Sequence, residues 1–249
     1  MIKRLIFATE ESRALTYAAT ELEKLGVEFT SDPSKSVTHL LLPVPCKLSQ
    51  EKLTDILAQL PQNITLIGGH LDRPELSGYT KIDLLKDEQY QAENAMITAY
   101  CAITLAAPSL PLIWQNCPVL ILGWGRIGKC LGKRLHSLDA DVSIAARKET
   151  DLAMATALGY DTQNIYDLSY ILRRYRVIFN TVPYPVLTRE QTVHCRPDCL
   201  KIELASKPGI LCDDVIDGRG LPGKLAPESS GKLIARTVMR LFTRKEEAL

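Results

Sequence analysis

The sequence predicts an α/β protein in two parts. One is a Rossmann-type doubly wound parallel sheet. The other is a smaller N-terminal flavodoxin-like α/β domain, with a C-terminal helix packing back on it. Three features lead to that fold class. The apolar run Val119–Leu122 meets Gly123-Trp124-Gly125-Arg126-Ile127-Gly128, and an amphipathic helical pattern follows. Short apolar stretches alternate with helical patterns along most of the chain, as a parallel sheet covered on both faces requires. Between Pro108 and Pro118 the alternation breaks, which marks a link between two units.

In chain order, Lys3–Ala8 reads as a strand, and Ser12–Leu25 as an amphipathic helix that Gly26 stops. Val27–Thr30 is strand-like. Thr38–Leu42 is a short buried strand ended by Pro43 and Pro45. Glu51–Leu60 is a helix stopped by Pro61, and Ile64–Ile67 is a strand leading to Gly68-Gly69. A long helical pattern runs from about Asp87 to Ala107, with Ala92, Ala95, Met96, Ala99, Tyr100, Ile103 and Leu105 on its apolar face. The second unit begins with the strand at Val119. Helices follow at Arg126–Leu138, Lys148–Leu158 and Tyr166–Tyr175, with strands at Val142–Ala146, Val177–Thr181 and Leu200–Ala205. A last helix covers Ser229–Arg244 and returns to the first domain. The expected division is 1–110 with 228–249 as a substrate or cap domain with a long linking helix, and 111–227 as the nucleotide-binding domain.

Composition excludes several function classes. The chain has 249 residues, 46% of them hydrophobic, enough for two packed cores. Its 30 basic and 29 acidic residues leave a net charge of +1, so neither nucleic acid nor an anionic membrane is an expected partner. The first eight residues are too short and too soon charged to read as a signal peptide, and no apolar run approaches membrane-span length. Seven cysteines at irregular spacing suit a reducing cytoplasm. Cys195 and Cys199 lie beside His194, but no second ligand pair stands at metal-site spacing, so they read as ordinary thiols and no metal is expected.

The glycine turn carries the chemistry. Gly123 permits a tight turn, Gly125 lets backbone approach a pyrophosphate, and Gly128 lets helix and strand pack closely. The helix start at Arg126 and Ile127 turns its first N–H groups toward phosphate. The strand after this helix ends in Ala145-Ala146-Arg147-Lys148, with no carboxylate to hold a ribose 2′-hydroxyl. Arg147 and Lys148 instead suit a 2′-phosphate, so NADP is expected in preference to NAD. Asn180-Thr181-Val182-Pro183 sits at a strand's carboxyl end, where backbone and hydroxyl groups line a nicotinamide crevice. Lys207 follows the next strand, at a place suited to an anionic substrate. Gly218 to Leu225 nearly matches a P-loop, but Leu225 replaces the Ser or Thr that holds magnesium. No clear strand leads into that segment and Pro227 follows it, so ATP and GTP are not expected.

Taken together, Val119–Gly128, Ala145–Lys148, Asn180–Leu187, Leu204-Ala-Ser-Lys-Pro-Gly209 and Gly220–Pro227 resemble the A subunit of the dipicolinate synthase family; Leu40–Val44 resembles a strand end in that family's first domain. The resemblance covers about Asp87 to Leu241. Three departures stand out: the first domain is shorter than is usual there, so is the stretch from Gly209 to Gly220, and Pro227-Glu228 replaces the common Pro-Lys. The resemblance implies oxidation of dihydrodipicolinate to dipicolinate in sporulation, with NADP as hydride acceptor and a flavoprotein-like second subunit. Similarity to 2-hydroxy-acid dehydrogenases implies that Lys207 binds a substrate carboxylate. Lys224 and His70 are further candidates for substrate contact, and Glu93 and Glu228 for the general base. Two other readings are a non-catalytic NADP-binding partner protein, and another NADP-dependent dehydrogenase or reductase of a small carboxylate. The long apolar helices lead to the expectation of a homodimer.

Overall fold

The computed structural model describes residues 5–9, 12–30, 32 and 36–247. The chain forms two compact units, Met1–Asn94 with Pro222–Leu249, and Ala95–Leu221. The division falls inside the long helix and not at the Pro108–Pro118 segment. The start of that helix is tied to the C-terminal helix: Arg240 bonds Asp87 at 2.6 Å and Arg236 bonds Glu93 at 2.7 Å.

In the first unit, β1 (Leu5–Ala8) leads to α1 (Arg13–Lys24), which Ser12 caps by accepting from Leu15 N. Lys3 and Arg4 of the expected first strand lie outside the described residues. Then come β2 (Glu28–Thr30), β3 (His39–Leu41), α2 (Gln50–Ala58, capped by Ser49), β4 (Thr65–Gly68) and β5 (Thr80–Asp83). All five strands are parallel, in the order β2-β1-β3-β4-β5, the flavodoxin-like arrangement. Leu40 and Leu66 on the sheet and Leu53 on α2 are fully buried in one core cluster, each contributing about 1.5–3 kcal/mol. α3 (Glu88–Ala106) follows.

In the second unit, β6 (Pro118–Leu122), α4 (Arg126–His136), β7 (Asp141–Ala146), α5 (Glu149–Ala157) and β8 (Asp161–Asn164) make one half of a sheet. β9 (Val177–Asn180), the short α6 (Arg189–Thr192), β10 (Leu200–Glu203) and β11 (Val215–Asp217) make the other. The order is β11-β10-β9-β6-β7-β8, all parallel: the doubly wound order, with its reversal between β6 and β9. α7 (Leu221–Leu225) and α8 (Pro227–Glu247) close the chain. α8 returns to α1, where Gly231 lies so close that a Cβ would come within 2.6 Å of Ala14 O.

The structure corrects the sequence in three places. β5, β8 and β11 were not expected as strands. Each is an edge strand, covered on one side, and Asp-Thr-Gln-Asn in β8 has no apolar residue to mark it. The Tyr166–Tyr175 helix is instead a run of turns ending in one 3₁₀ turn, Leu172–Arg174. Leu168, Leu172 and Tyr175 are buried at helical spacing, but the Asn164 side chain accepts from Tyr166 N at 3.0 Å and opens a turn. At the P-loop-like segment, β11 does lead in, and Pro227 begins α8 without breaking it, as the first helical position tolerates proline. Gly223 and Lys224 lie within α7, so no phosphate-cradling loop forms around them.

Candidate functional site

The site grows from the reversal point of the second sheet. β6 is buried from Val119 to Leu122 and runs straight into Gly123. Gly123 has φ +101°, and a Cβ there would lie 2.5 Å from Thr181 Oγ1 and 2.8 Å from Val182 Cγ2. The turn is thus pressed against the end of β9. Gly128, one turn into α4, is tighter still: a Cβ would sit 2.2 Å from Gly123 O. Gly125 is the opposite case. It caps α4 without a side-chain bond, and a Cβ would meet nothing within 4 Å.

That open face is the cradle a dinucleotide needs. The first N–H groups of α4, at Arg126, Ile127 and Gly128, precede the intrahelical ladder and point from this end. Trp124 contributes backbone only. Its indole is buried edge-on against Tyr160, with ring centroids 5.3 Å apart, and its Nε1–H has no acceptor among the described residues. Arg147 and Lys148 stand exposed at the end of β7, and neither side chain has a partner among the described residues. These features fit a nicotinamide dinucleotide.

The neighbouring strand ends are built from buried polar groups. Thr181 donates its hydroxyl to Leu122 O at 2.8 Å, so that group braces the turn. Asn180 is fully buried; its amide donates to Val182 O at 2.9 Å and accepts from Val182 N at 3.0 Å, which shapes the turn through Pro183. Glu203, at the end of β10, was not singled out from the sequence. Its buried carboxylate accepts from Asn180 Nδ2 at 2.7 Å, Ala205 N at 3.0 Å, Gly209 N at 2.7 Å and Ile210 N at 3.3 Å. Gly209 fits under Asn180 and Tyr184, where a Cβ would come within 2.3 Å of Asn180 Nδ2. The loop between β10 and Gly209 is therefore held at both ends. Lys207 lies in it, exposed, with no partner among the described residues.

The other candidates belong to the first unit. Glu93 accepts from Arg236 and, at 3.2 Å, from Gln89. Glu228 pairs with Lys232 one turn along α8 at 2.6 Å. Lys224 is exposed on α7. His70 is exposed with φ +58° and lines a pocket of about 460 Å³ with Lys47, Asp72, Arg73 and Lys86. The structure thus gathers the glycine turn, Arg147, Lys148, Thr181–Pro183 and Lys207 at the carboxyl ends of one sheet, and sets Glu93, Glu228, Lys224 and His70 in the other unit. Among the described residues no helix is long and apolar enough to cross a membrane, and no group of three or more His, Cys, Asp or Glu could hold a metal ion.

No protein-family model matches the chain. The A subunit of dipicolinate synthase from Bacillus subtilis is 22% identical over 237 residues, covering 84% of this chain and 79% of the relative. The crystal structure of that protein superposes with a TM-score of 0.82 at 19% identity, over 100% of this chain and 99% of the other. The corresponding dipicolinate synthase structure from Bacillus halodurans gives 0.80 at 21% identity, over 96% and 97%. D-lactate dehydrogenase from Escherichia coli, at 0.61 and 13% identity over 98% and 97%, shares the architecture more distantly. The glycine turn, the basic strand end and the Lys207 loop thus sit in a Rossmann-type dehydrogenase fold, in a chain that over most of its length is similar to the A subunit of dipicolinate synthase.

Proposed function

We propose that this chain is the NADP-dependent subunit of an oxidoreductase that converts dihydrodipicolinate to dipicolinate in sporulation. In this reading it is cytoplasmic and acts with a flavoprotein-like second subunit. One observation carries the reading: Lys207 is held without a partner at the end of β10, next but one in the sheet to the glycine turn that follows β6. A cationic side chain kept free beside a dinucleotide crevice suits a small dicarboxylate.

When bound, the nicotinamide supplies hydride acceptance. The chain supplies the rest. Arg126, Ile127 and Gly128 offer N–H groups to the pyrophosphate, and Arg147 and Lys148 pair with the 2′-phosphate. Lys207 is proposed to hold a substrate carboxylate, and Lys224 and His70 are proposed for substrate contact. Aromatisation also releases a proton. Both oxygens of Glu93 are already engaged, whereas Glu228 has a single bonded oxygen, so Glu228 is the better proposed base.

The test is a coupled set of measurements on the full chain. Purified protein, with and without a flavoprotein-like partner, is given NADP and dihydrodipicolinate and followed at the NADPH band. Lys207→Ala should keep NADPH affinity and lose turnover. Arg147→Asp should weaken NADPH at least about tenfold, or 1.4 kcal/mol, and leave NADH unchanged. Normal turnover in Lys207→Ala, or equal losses for the two nucleotides, overturns the assignments. The stretch from Gly209 to Gly220 holds β11 but no helix, which favours as second reading an NADP-dependent dehydrogenase of another small carboxylate. Turnover of such an acid, with none on dihydrodipicolinate, would select it.

A further inference from the structure

Four tyrosines of the second unit are largely exposed, Tyr100, Tyr166, Tyr170 and Tyr184, and they differ in how they are held. The Arg134 guanidinium covers the Tyr100 ring, 4.3 Å from its centroid. Tyr166 and Tyr170 lie in the run of turns between β8 and β9. Tyr184 follows the carboxyl end of β9, the strand that lies between β6 and β10. Its side chain is 68% exposed and makes no hydrogen bond or ring contact among the described residues.

The backbone that carries this open ring is fixed on every side. Pro183 has a set φ, and Pro185 disfavours helical backbone at Tyr184. Gly209 packs under the turn, where a Cβ would come within 2.7 Å of both Tyr184 O and Val182 O. Val186 N and Leu187 N donate to Gly209 O at 2.8 and 3.1 Å, and Leu211 N donates to Leu187 O at 2.8 Å. Toward β6, Thr181 and Val182 crowd Gly123 of the glycine turn. Toward β10, Gly209 ends the loop that carries Lys207. Tyr184 therefore stands on the strand end between the glycine turn and Lys207. A tyrosine has only two side-chain torsions to restrict, so on a locked backbone it offers a flat apolar surface at low entropic cost.

We propose that Tyr184 is a specificity residue that stacks on a planar ring of the substrate, so that the site prefers an unsaturated ring dicarboxylate to a saturated one of the same charge and carboxylate spacing. The inference rests on the assignment of Lys207 to a substrate carboxylate, which brings the rest of that molecule beside the Tyr184 turn. Two flat rings stack offset or edge to face, and a puckered saturated ring has no π face to offer. The contact is made by the ring and not by the hydroxyl, so phenylalanine should replace the tyrosine.

The experiment uses the full-length protein saturated with NADP and two acids matched in charge and carboxylate spacing. Benzene-1,3-dicarboxylate and cis-cyclohexane-1,3-dicarboxylate are titrated calorimetrically into wild type, Tyr184→Phe and Tyr184→Ala. Wild type should bind the aromatic acid about fivefold more tightly than the saturated one, as one aromatic pair allows. Tyr184→Phe should keep that preference and Tyr184→Ala should lose it, with NADPH affinity the same in all three. Tyr170→Ala, which removes an equally open ring elsewhere in the unit, should keep it. A preference that survives in Tyr184→Ala, an equal loss for both acids, or a fall in NADPH affinity overturns the proposal, and so does failure of wild type to bind either acid. Turnover of dihydrodipicolinate separates the two assignments. Turnover without a Tyr184-dependent preference refutes the stacking role alone. The preference without turnover upholds the stacking role and refutes the proposed reaction.

Discussion

The carboxyl ends of the two sheets use one device at two depths. In the second unit, Glu203 ends β10 and accepts from Asn180 and from the backbone at Ala205, Gly209 and Ile210. In the first, Asp83 ends β5 and accepts from the backbone at His70, Leu71 and Leu85, at 3.3, 2.8 and 2.9 Å. Each carboxylate gathers the loops that follow neighbouring strands. Glu203 is buried and its loops are locked by glycines with no room for a Cβ. Asp83 is half-buried beside an open pocket, and the close neighbours of Gly69 are the side chains of Leu85 and Val44, which can shift. The second edge is rigid by backbone fit; the first is held by charge and remains adjustable.

The largest expected effect tests the backbone fit. Gly128→Ala drives a methyl to within 2.2 Å of Gly123 O, so the turn must move. NADPH affinity should fall about 100-fold, or about 2.8 kcal/mol, and the melting temperature should fall with it. Gly125→Ala sharpens the point. Its methyl meets no protein atom, so stability should hold while NADPH affinity drops, because only the ligand needs that space. Fluorescence titration and thermal unfolding of both variants separate the two roles. Equal stability in both would mean that the contact at Gly128 is soft.

A smaller effect compares the carboxylates directly. Glu203→Gln turns a donor toward buried N–H groups and should cost about 2 kcal/mol in denaturant unfolding. Asp83→Asn misplaces a donor in the same way, but at a half-exposed site where water can take it up, and should cost about 1 kcal/mol. Equal costs would erase the distinction between a rigid and an adjustable edge.

The same difference explains what was legible in the sequence. The glycine turn was readable because each glycine answers a local demand: a positive φ at Gly123, an open face at Gly125 and a turn carbonyl at Gly128. Central strands were readable because both faces are buried and the residues are apolar throughout, as in Val177-Ile178-Phe179. Glu203 was not, because its side-chain partner Asn180 lies 23 residues away and a glutamate ending a strand looks like a solvated one. The close fit at Gly209 could not be read either, because the groups that crowd it, Asn180, Val182 and Tyr184, come from the β9 end. Glu93 read as a candidate base for the same reason: Arg236 is 143 residues distant. Edge strands such as β8 carry too little apolar side chain to be seen before the sheet is assembled.

The smallest effect lies where the first unit's helices meet, and pH reads it. Asp87 accepts from Tyr90 N at 2.7 Å and from Arg240 at 2.6 Å, so it both starts α3 and ties it to α8. Burial pushes its carboxyl up, but the Arg240 guanidinium and the Tyr90 N–H outweigh this, with Arg244 adding to them, and hold it below the usual carboxylate range. In the unfolded chain this group titrates near its ordinary value of about 3.9. The folded state therefore binds fewer protons in the window just below about pH 4, and the unfolded state gains as pH falls. The stabilisation is complete above that window and is lost as pH drops through the lowered folded value. Asp87→Asn should cost somewhat under about 1 kcal/mol at neutral pH, as loss of a partly solvated ion pair does. The gap between wild type and variant should then narrow below pH 4, which removes the background of other carboxylates from the comparison. A gap that stays constant down to pH 3 would mean that Asp87 acts through its backbone bond alone, and that the first unit is held together by packing and not by charge.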